Sequence, residues 1–304
     1  MKILFMGTPE IAAASLRALI AAGHEICAVF TREDKPVGRR QVLTPPPVKQ
    51  VAEEKGIPVF QPKTLKDGSA AQIFQKYSPD LAVVVAYGRI LPKELLDIPR
   101  YGAINLHVSK LPAYRGAAPI QWAVLNGEKE TGVSIMYLNE GLDTGDVIRM
   151  CPVAIGENET SGELFARMEE AGARELVQAV ADIQAGTASR TPQDHEKATF
   201  APPLNKEMAL FTFDLPAPRI HHLVMGLNPW PVAYFLYQGK KIKVLRTRLC
   251  EGRGEAGAVL CSKPLRVACG EGAVELCEVV PEGSRPMEGA VWAMGKRFQT
   301  GDHL

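Results

Sequence analysis

The first half of the chain alternates short apolar runs with segments of helical period, and this alternation constrains the fold more than any other feature. Strand-length apolar runs occupy residues 2–6, 25–31, 59–60 and 81–86, and each precedes a segment of helical period, at residues 10–22, 48–55, 70–77 and 92–96. A helix between two strands returns the chain to the same edge of a sheet, so successive strands run parallel. The sequence therefore predicts an α/β domain built on a doubly wound, mostly parallel sheet.

Two helix starts carry capping signals. Thr8 followed by Pro9 predicts the N-cap and the first helical residue of the first helix. Thr160 and Glu163, three residues apart, have the sequence of a capping box, which predicts a long helix ending at about residue 185.

The character of the chain changes after Gly186, which predicts a domain boundary. Residues 191–195 and 202–203 lack helical period and are rich in chain breakers. One short helix is predicted at residues 218–225, and glycine-separated strands follow it at residues 233–237, 242–249, 256–260, 265–268 and 273–279. Such spacing is typical of a small β-barrel. We predict a first domain over residues 1–188, a linker over 189–206 and a C-terminal barrel over 207–304.

Composition limits the partners and the compartment. No apolar run approaches the ~18 residues that span a bilayer, so we expect a cytoplasmic protein without a membrane partner. The cysteines show no Cys-x-x-Cys pair and no histidine at zinc-finger spacing, so we expect free, buried thiols and no metal: Cys27, Cys151, Cys250, Cys261, Cys269 and Cys277. Residues 1–205 hold 22 Lys and Arg against 24 Asp and Glu, and the rest hold 13 against 10, so basic surface is expected locally, toward the C-terminus.

Three polar residues are predicted to converge at one edge of the sheet. Asn105 and His107 lie two residues apart on a predicted strand over residues 102–107 and therefore share a face. Ligands of open α/β sheets bind beyond the carboxyl ends of strands, where His107 ends this one. Asp143 lies in a glycine-rich loop, residues 139–146, that can bring its carboxylate to His107.

An amide, an imidazole and a carboxylate suit the transfer of an acyl-type carbon to an amine. The first two can hold a developing oxyanion, while the carboxylate orients the imidazole and assists proton movement, with no covalent nucleophile. Spacing alone also permits a structural interpretation, in which Asn105 and Asp143 cap turns and His107 is a hydrogen-bonded, partly buried histidine.

The residues around this trio resemble a known family. Residues 102–120, GAINLHVSKLPAYRGAAPI, resemble the signature of the folate-dependent formyltransferases, with its downstream motifs at residues 132–134 and 142–145. Residues 5–10, 43–49 and 226–231 resemble the methionyl-tRNA branch of that family, and the likeness covers essentially the whole chain. It implies a Rossmann-like catalytic domain followed by an OB-like barrel that binds tRNA.

The resemblance also implies residue roles. Asn105, His107 and Asp143 are catalytic, the formyl donor is 10-formyltetrahydrofolate, and the acceptor is the α-amino group of methionine on initiator methionyl-tRNA, which supplies N-formylmethionyl-tRNA for translation initiation. The folate-binding residues implied are Tyr87, Gly88, Arg89, Ile90, Leu91, Ser109, Lys110, Leu111 and Pro112. Lys110 stands where the family usually has Leu, so the pocket wall gains a charge. No protein partner is implied.

Two basic segments are candidates for tRNA contact. Residues 32–44 form a long basic loop with Lys35, Arg39 and Arg40, and arginine suits phosphates and unpaired bases. Residues 240–248 place five positive charges on a predicted barrel strand, among which we select Lys241, Lys243 and Arg246. The charged positions change parity along this strand, so they share a face only if it is bulged. Both segments also fit a solvated surface without a partner.

Other functions are compatible with the sequence at this point. A nucleotide-sugar formyltransferase or a formyltetrahydrofolate hydrolase domain uses the same trio, but neither accounts as well for residues 228–231 followed by a small barrel. A dinucleotide-binding oxidoreductase fits the alternating first half, although the turn at Gly7, Thr8 and Pro9 lacks the Gly-x-Gly-x-x-Gly cradle. The remaining alternative is a non-catalytic RNA-binding protein.

Overall fold

A computed structural model describes residues 1–38 and 41–304 of the 304-residue chain. In chain order, the elements up to Ala185 are β1 (Lys2–Gly7), α1 (Glu10–Ala21), β2 (Glu25–Phe30), β3 (Lys35–Val37), β4 (Val42–Thr44), α2 (Pro47–Glu54), β5 (Val59–Phe60), α3 (Ser69–Tyr77), β6 (Leu81–Val85), α4 (Lys93–Asp97), β7 (Ala103–His107), β8 (Arg115–Gly116), α5 (Pro119–Leu125), β9 (Glu130–Tyr137), β10 (Val147–Ala154) and α6 (Ser161–Ala185). The later elements are β11 (Phe200–Ala201), α7 (Ala217–Gly226), β12 (Tyr234–Tyr237), β13 (Lys240–Cys250), β14 (Val259–Ser262), β15 (Leu265–Ala268), β16 (Ala273–Pro281), β17 (Met287–Glu288) and α8 (Gly289–Lys296).

The main sheet is doubly wound and mostly parallel, which confirms the predicted fold class. Its strand order is β10-β9-β7-β6-β1-β2-β5 among the described residues. β1 pairs in parallel with β2 and β6, β2 with β5, and β6 with β7, whereas β9 runs antiparallel to β7. The chain therefore winds outward from β1 to one side and then to the other, and the change of direction falls between β1 and β6.

The central strands are buried on both faces, as parallel strands between helix layers must be. All five residues of β6 are buried, and so are the last five of β1. Phe30 packs against Phe60 and Phe74 with ring centroids 5.6 Å apart in each pair. Gly7 ends β1 where a Cβ would come within 2.8 Å of the Val85 carbonyl oxygen, so only glycine fits between β1 and β6.

The capping predictions had different outcomes. The box at Thr160 is confirmed: the Glu163 carboxylate accepts from the Thr160 N–H at 2.8 Å, and the Thr160 hydroxyl accepts from the Glu163 N–H at 3.2 Å. The N-cap at Thr8 was wrong. Pro9 is extended, with φ −80° and ψ −176°, and its carbonyl accepts from the Ala13 N–H, so Pro9 itself is the N-cap and Thr8 lies one residue outside the helix.

The chain divides into two compact units. The first comprises residues 1–116, 131–153 and 166–200, and the second comprises residues 117–130, 154–165 and 201–304. In the second unit, antiparallel strands pair in the order β12-β13-β16-β15-β14, with β17 also on β16. The short strands, from which a small β-barrel was predicted, form a C-terminal antiparallel β domain. Its core holds Phe213, Phe235 and Trp292, and the Phe213 and Phe235 rings lie 5.1 Å apart.

Two further features concern the whole chain. Among the described residues, none of the helices combines the length and the hydrophobicity that crossing a bilayer requires. All six cysteines have free thiols. Cys27 and Cys269 are buried, as expected for both, whereas the other four are half-buried.

Candidate active site

β7 carries the first two candidate residues on the face of the sheet that points away from α6. Leu106 packs so closely on Gly172 of α6 that a Cβ there would lie 2.8 Å from a Leu106 methyl group. Because side chains alternate along a strand, Asn105 and His107 point to the opposite face. His107 is the last residue of β7, so its imidazole lies at the carboxyl end of a parallel strand.

The His107 imidazole is held by the main chain of the loop that follows it. Nε2 lies 2.9 Å from the Tyr114 carbonyl oxygen, and because a carbonyl only accepts, Nε2 carries the proton. Tyr114 adopts the left-handed conformation, with φ +58°, and its N–H donates to the Thr199 hydroxyl at 2.9 Å. This conformation is costly for a bulky residue, so the surrounding contacts hold the carbonyl toward His107.

Asp143 faces the other nitrogen of the imidazole. Its Oδ2 is 3.7 Å from Nδ1 of His107, which is beyond a direct hydrogen bond but close enough for a charge interaction when the imidazole is protonated. The same oxygen accepts from the Gly116 N–H at 2.8 Å. Asp143 also has a positive φ, +51°, which Asp tolerates better than most residues. Both side chains are largely buried, with 6% of His107 and 13% of Asp143 exposed, so solvent screens their interaction only weakly.

Asn105 is the member of the trio that is open to a substrate. It is half-buried on β7, and its amide has no hydrogen-bond partner among the residues that the structure describes. A side-chain amide in this state can donate to an oxygen of a bound molecule without giving up an existing contact. The site therefore offers one unengaged donor, one imidazole with an unprotonated Nδ1, and one carboxylate beside that nitrogen.

The predicted folate loop after β7 is tied to β9 through Ser134. Its hydroxyl donates to the Ser109 carbonyl at 2.7 Å and accepts from the Leu111 N–H at 3.2 Å. The Ser109 hydroxyl donates to the Ala113 carbonyl at 2.6 Å, which closes the loop on itself before Tyr114. The Lys110 stem lies where a Cβ on Gly132 of β9 would be, so the unexpected lysine packs with its methylenes against the strand.

The second predicted folate segment follows β6. Tyr87 and Leu91 are buried in the core of the sheet, whereas Ile90 is 71% exposed. Arg89 donates to the Pro62 carbonyl at 2.7 Å. Gly88 has φ +76° and nothing within 4 Å of the position of a Cβ, so its main chain lines open space. Burial raises the pKa of the Tyr87 hydroxyl, and the nearby charges of Arg89 and Arg32 oppose that shift.

The segment predicted as a long basic loop, residues 32–44, contains a short hairpin, which the sequence did not predict. β3 and β4 pair antiparallel, with Lys35 opposite Thr44; three-residue strands are too short to show a period of two. Lys35 is exposed on the hairpin. The Lys49 ammonium binds the Asp34 carboxylate at 2.8 Å, and Gln61 donates to it at 2.8 Å, which fixes the start of the hairpin. Arg39 and Arg40 lie outside the described residues.

The basic strand of the second unit is β13, and its pairing with β16 is irregular on both sides of Arg246. Buried positions change there from Ile242 and Val244 to Thr247, so Lys241, Lys243 and Arg246 share the outer face. This is the irregularity that a one-faced basic strand requires. Arg246 is already engaged, however, because it donates to the Glu163 carboxylate at 2.6 Å and to the Asn158 carbonyl at 3.1 Å.

Sequence reasoning missed the residues that hold the site together. The Tyr114 carbonyl and the Gly116 N–H are main-chain groups, which no sequence pattern identifies. Arg115 and Gln193 are buried side chains hydrogen-bonded to each other, and Gln193 lies in the segment predicted as a linker. Gln193 stands among chain breakers and other polar residues, so nothing in the sequence distinguishes it from its neighbours.

The chain matches known proteins over its full length. The formyl transferase family matches residues 1–180, and the formyl transferase C-terminal domain matches residues 203–297. The methionyl-tRNA formyltransferase of Macrococcus caseolyticus is 44% identical over 300 residues, 98% of this chain and 96% of the relative. That of Desulforamulus reducens is 43% identical over 309 residues, 100% of this chain and 98% of the relative.

A solved structure shows the same fold at low sequence identity. The N-formyltransferase from Helicobacter canadensis, in complex with folinic acid and dTDP-3-aminofucose, is 17% identical, with a TM-score of 0.69 over 91% of this chain and 98% of that one. This likeness concerns the fold; the classification follows from the family matches over both parts of the chain and from the full-length relatives. The chain belongs to the formyl transferase family, among the methionyl-tRNA formyltransferases.

Proposed function

We propose that this protein transfers the formyl group of 10-formyltetrahydrofolate to the α-amino group of methionine on initiator methionyl-tRNA. The observation that carries the proposal is the match to methionyl-tRNA formyltransferases over 98% of the chain, with the His107 and Asp143 pair at the carboxyl end of β7. The folinic acid complex of the Helicobacter canadensis enzyme supports a folate-derived donor. We infer a cytosolic location from the proposed tRNA substrate.

Buried groups without partners are consistent with a heterocycle bound beyond β1 and β6. The hydroxyls of Thr8 and Tyr87 are buried and have no hydrogen-bond partner within the described residues. They follow neighbouring strands at the change of winding direction, where open α/β sheets bind ligands. The open main chain at Gly88 and the exposed Ile90 suit a flat ring. We therefore retain Tyr87 to Leu91 and Ser109 to Pro112 as the proposed folate-binding residues.

The proposed chemistry needs one donor and one base from the protein. The folate supplies the formyl group on N10, and the methionine amine attacks its carbon in the neutral form, which is available because α-amino groups titrate near ~7.7–8.0. Asn105 donates to the formyl oxygen as negative charge develops there. His107 accepts the proton that the amine loses, at Nδ1, and Asp143 stabilises the resulting imidazolium. His107 returns that proton to N10 as the carbon–N10 bond breaks.

The proposal is tested by a transfer assay with a radiolabelled formyl group. Purified protein is incubated with 10-formyltetrahydrofolate and, in separate reactions, charged initiator methionyl-tRNA, charged elongator methionyl-tRNA or an amino-sugar nucleotide. We expect label on initiator methionyl-tRNA alone, recovered as formylmethionine after deacylation. Label on the sugar alone would identify a sugar formyltransferase, and release of formate without an acceptor would identify a hydrolase.

A further inference from the structure

Gln193 joins the two loops that position Asp143. It lies between Thr191, which forms a bridge with Val147, and the 3-10 turn His195–Lys197, and only 8% of it is exposed. Its side-chain nitrogen donates to the carbonyl of Asp143 at 2.9 Å and to that of Gly145 at 2.7 Å. Both protons of the amide are therefore used on the main chain of the Asp143 loop.

The oxygen of the same amide binds the loop on the other side of Asp143. Gln193 Oε1 accepts from Nε of Arg115 at 3.2 Å and from its terminal nitrogen at 2.6 Å. Arg115 is 4% exposed, and its neighbour Gly116 donates its N–H to the Asp143 carboxylate. The contacts form a closed ring that runs from Gln193 through Asp143, Gly116 and Arg115 back to Gln193.

This closed set of contacts matters because it fixes both the main chain and the carboxylate of Asp143. Its positive φ is unfavourable relative to an ordinary loop conformation, and its carboxylate must stay near Nδ1 of His107. Gln193 uses all four hydrogen-bonding positions of its amide, two as donor and two as acceptor, and it does so while buried. No ionisable or shorter side chain provides the same combination.

We propose that Gln193 is a positioning residue for formyl transfer: it holds Asp143 at His107 by tying the Asp143 loop to Arg115. The inference rests on the proposed function, in which Asp143 stabilises protonated His107. Because its amide is fully used within the protein, Gln193 acts through Asp143 and not on a substrate.

Gln193→Glu keeps the hydrogen bonds that the amide oxygen accepts and removes those that the amide nitrogen donates. The carboxylate keeps both acceptor contacts with Arg115, whose positive charge offsets its own, but it cannot donate to the carbonyls of Asp143 and Gly145. We expect kcat to fall about 100-fold, the loss typical of a displacement near 1 Å, with both KM values within about twofold of wild type. Gln193→Met, which removes both sides, is expected to lower kcat at least as much. Gln72→Glu, the same change on the exposed face of α3, is the control and should leave kcat unchanged.

A spectroscopic measurement distinguishes positioning from a purely structural role. The ring ¹⁵N chemical shifts of His107 report the surroundings of Nδ1, so they should change in both Gln193 variants and stay unchanged in Gln72→Glu. A wild-type kcat in both Gln193 variants would overturn the proposal. So would a loss of kcat that follows a lower melting temperature while the His107 shifts stay at their wild-type values.

The two proposals fail in different ways. If the wild-type protein does not formylate methionyl-tRNA, the proposed function is wrong, and the His107 shifts then decide alone whether Gln193 positions Asp143. If the wild-type protein is active but neither the His107 shifts nor kcat change in the Gln193 variants, the proposed function stands and the positioning role is wrong.

Discussion

His107 donates from Nε2 to the carbonyl of Tyr114 at 2.9 Å, which leaves Nδ1 as the unprotonated nitrogen of the ring. The main chain thus selects the tautomer, and in the proposed mechanism Asp143, 3.7 Å from Nδ1, stabilises the proton that this nitrogen accepts. The ring can serve as a base toward a substrate amine only from this side.

Replacing His107, the proposed base, should lower turnover strongly without affecting tRNA binding. His107→Gln removes the imidazole that is proposed to take the proton from the attacking amine, so we expect kcat to fall about 10²- to 10⁴-fold. The affinity for methionyl-tRNA, measured by filter binding, should remain within about twofold. His303→Gln, at a half-exposed histidine near the C-terminus, serves as the control. An active His107→Gln enzyme would show that another group carries the proton.

The charge of Asp143 can be removed while its shape is kept. Asp143→Asn retains an acceptor for Gly116 and a side chain that tolerates positive φ. A unit charge pair near 4 Å at an effective dielectric constant of 20 interacts by about 4 kcal/mol, so the loss of kcat should not exceed about 1000-fold. The melting temperature of Asp143→Asn should be near that of wild type. The melting temperature of Asp143→Ala should be lower, because this variant also leaves the Gly116 N–H without its acceptor.

Gly145 tests how closely the Asp143 loop packs on β9. A Cβ at this position would overlap the Tyr137 carbonyl oxygen, which belongs to the main chain and cannot rotate away. We expect Gly145→Ala to lower both the melting temperature and kcat, because the loop must shift. Gly295→Ala in α8 meets nothing within 4 Å and should raise the free energy of unfolding by about 0.5–1 kcal/mol. Equal melting temperatures for the two variants would contradict this account.

Two basic residues on the outer face of β13 are expected to have different roles, Lys243 in binding tRNA and Arg246 in stabilising the fold. Lys243 is exposed, so Lys243→Ala should weaken tRNA binding and reduce the slope of log affinity against log salt concentration by about 1. Arg246 is bound to Glu163 and Asn158, so Arg246→Ala should chiefly lower the melting temperature. A salt slope that changes for Arg246 and not for Lys243 would reverse the assignment.

The capping box predicts a pH-dependent contribution to stability. The hydrogen bonds from the Thr160 N–H and, to a smaller extent, from Arg246 lower the pKa of the Glu163 carboxyl. A lowered pKa means that the contribution is complete above the ordinary pKa and is lost as the pH falls through the folded value. Glu163→Gln should therefore be destabilised by about 1 kcal/mol at pH 7, a modest value because the carboxylate is half exposed. Chemical unfolding at about pH 3 should show a smaller difference in the free energy of unfolding between Glu163→Gln and wild type.

Sequence patterns predicted the parallel sheet because its strands are buried on both faces and are therefore continuous apolar runs. They predicted Asn105 and His107 together because a strand places alternate residues on one face. They did not predict Gln193, because its partner Arg115 lies 78 residues away in the sequence. They did not predict the Tyr114 carbonyl, because it is a main-chain group that any residue would carry. Thr8 shows the opposite error, in which a correct local signal is overridden by the extended conformation of Pro9.

β9 runs antiparallel to β7, so the connection that leaves it starts at the far end of β7, where Leu138 binds Ala103. A strand rises ~3.3 Å per residue, so the chain must double back by roughly 13 Å before Asp143 reaches His107. Surface connections usually vary in length among relatives without consequence. The length of the connection over residues 138–146 instead sets the distance between the Asp143 carboxylate and His107. We therefore expect the insertion or deletion of a single residue there to move the carboxylate away from His107 and to lower activity as much as replacing Asp143 does.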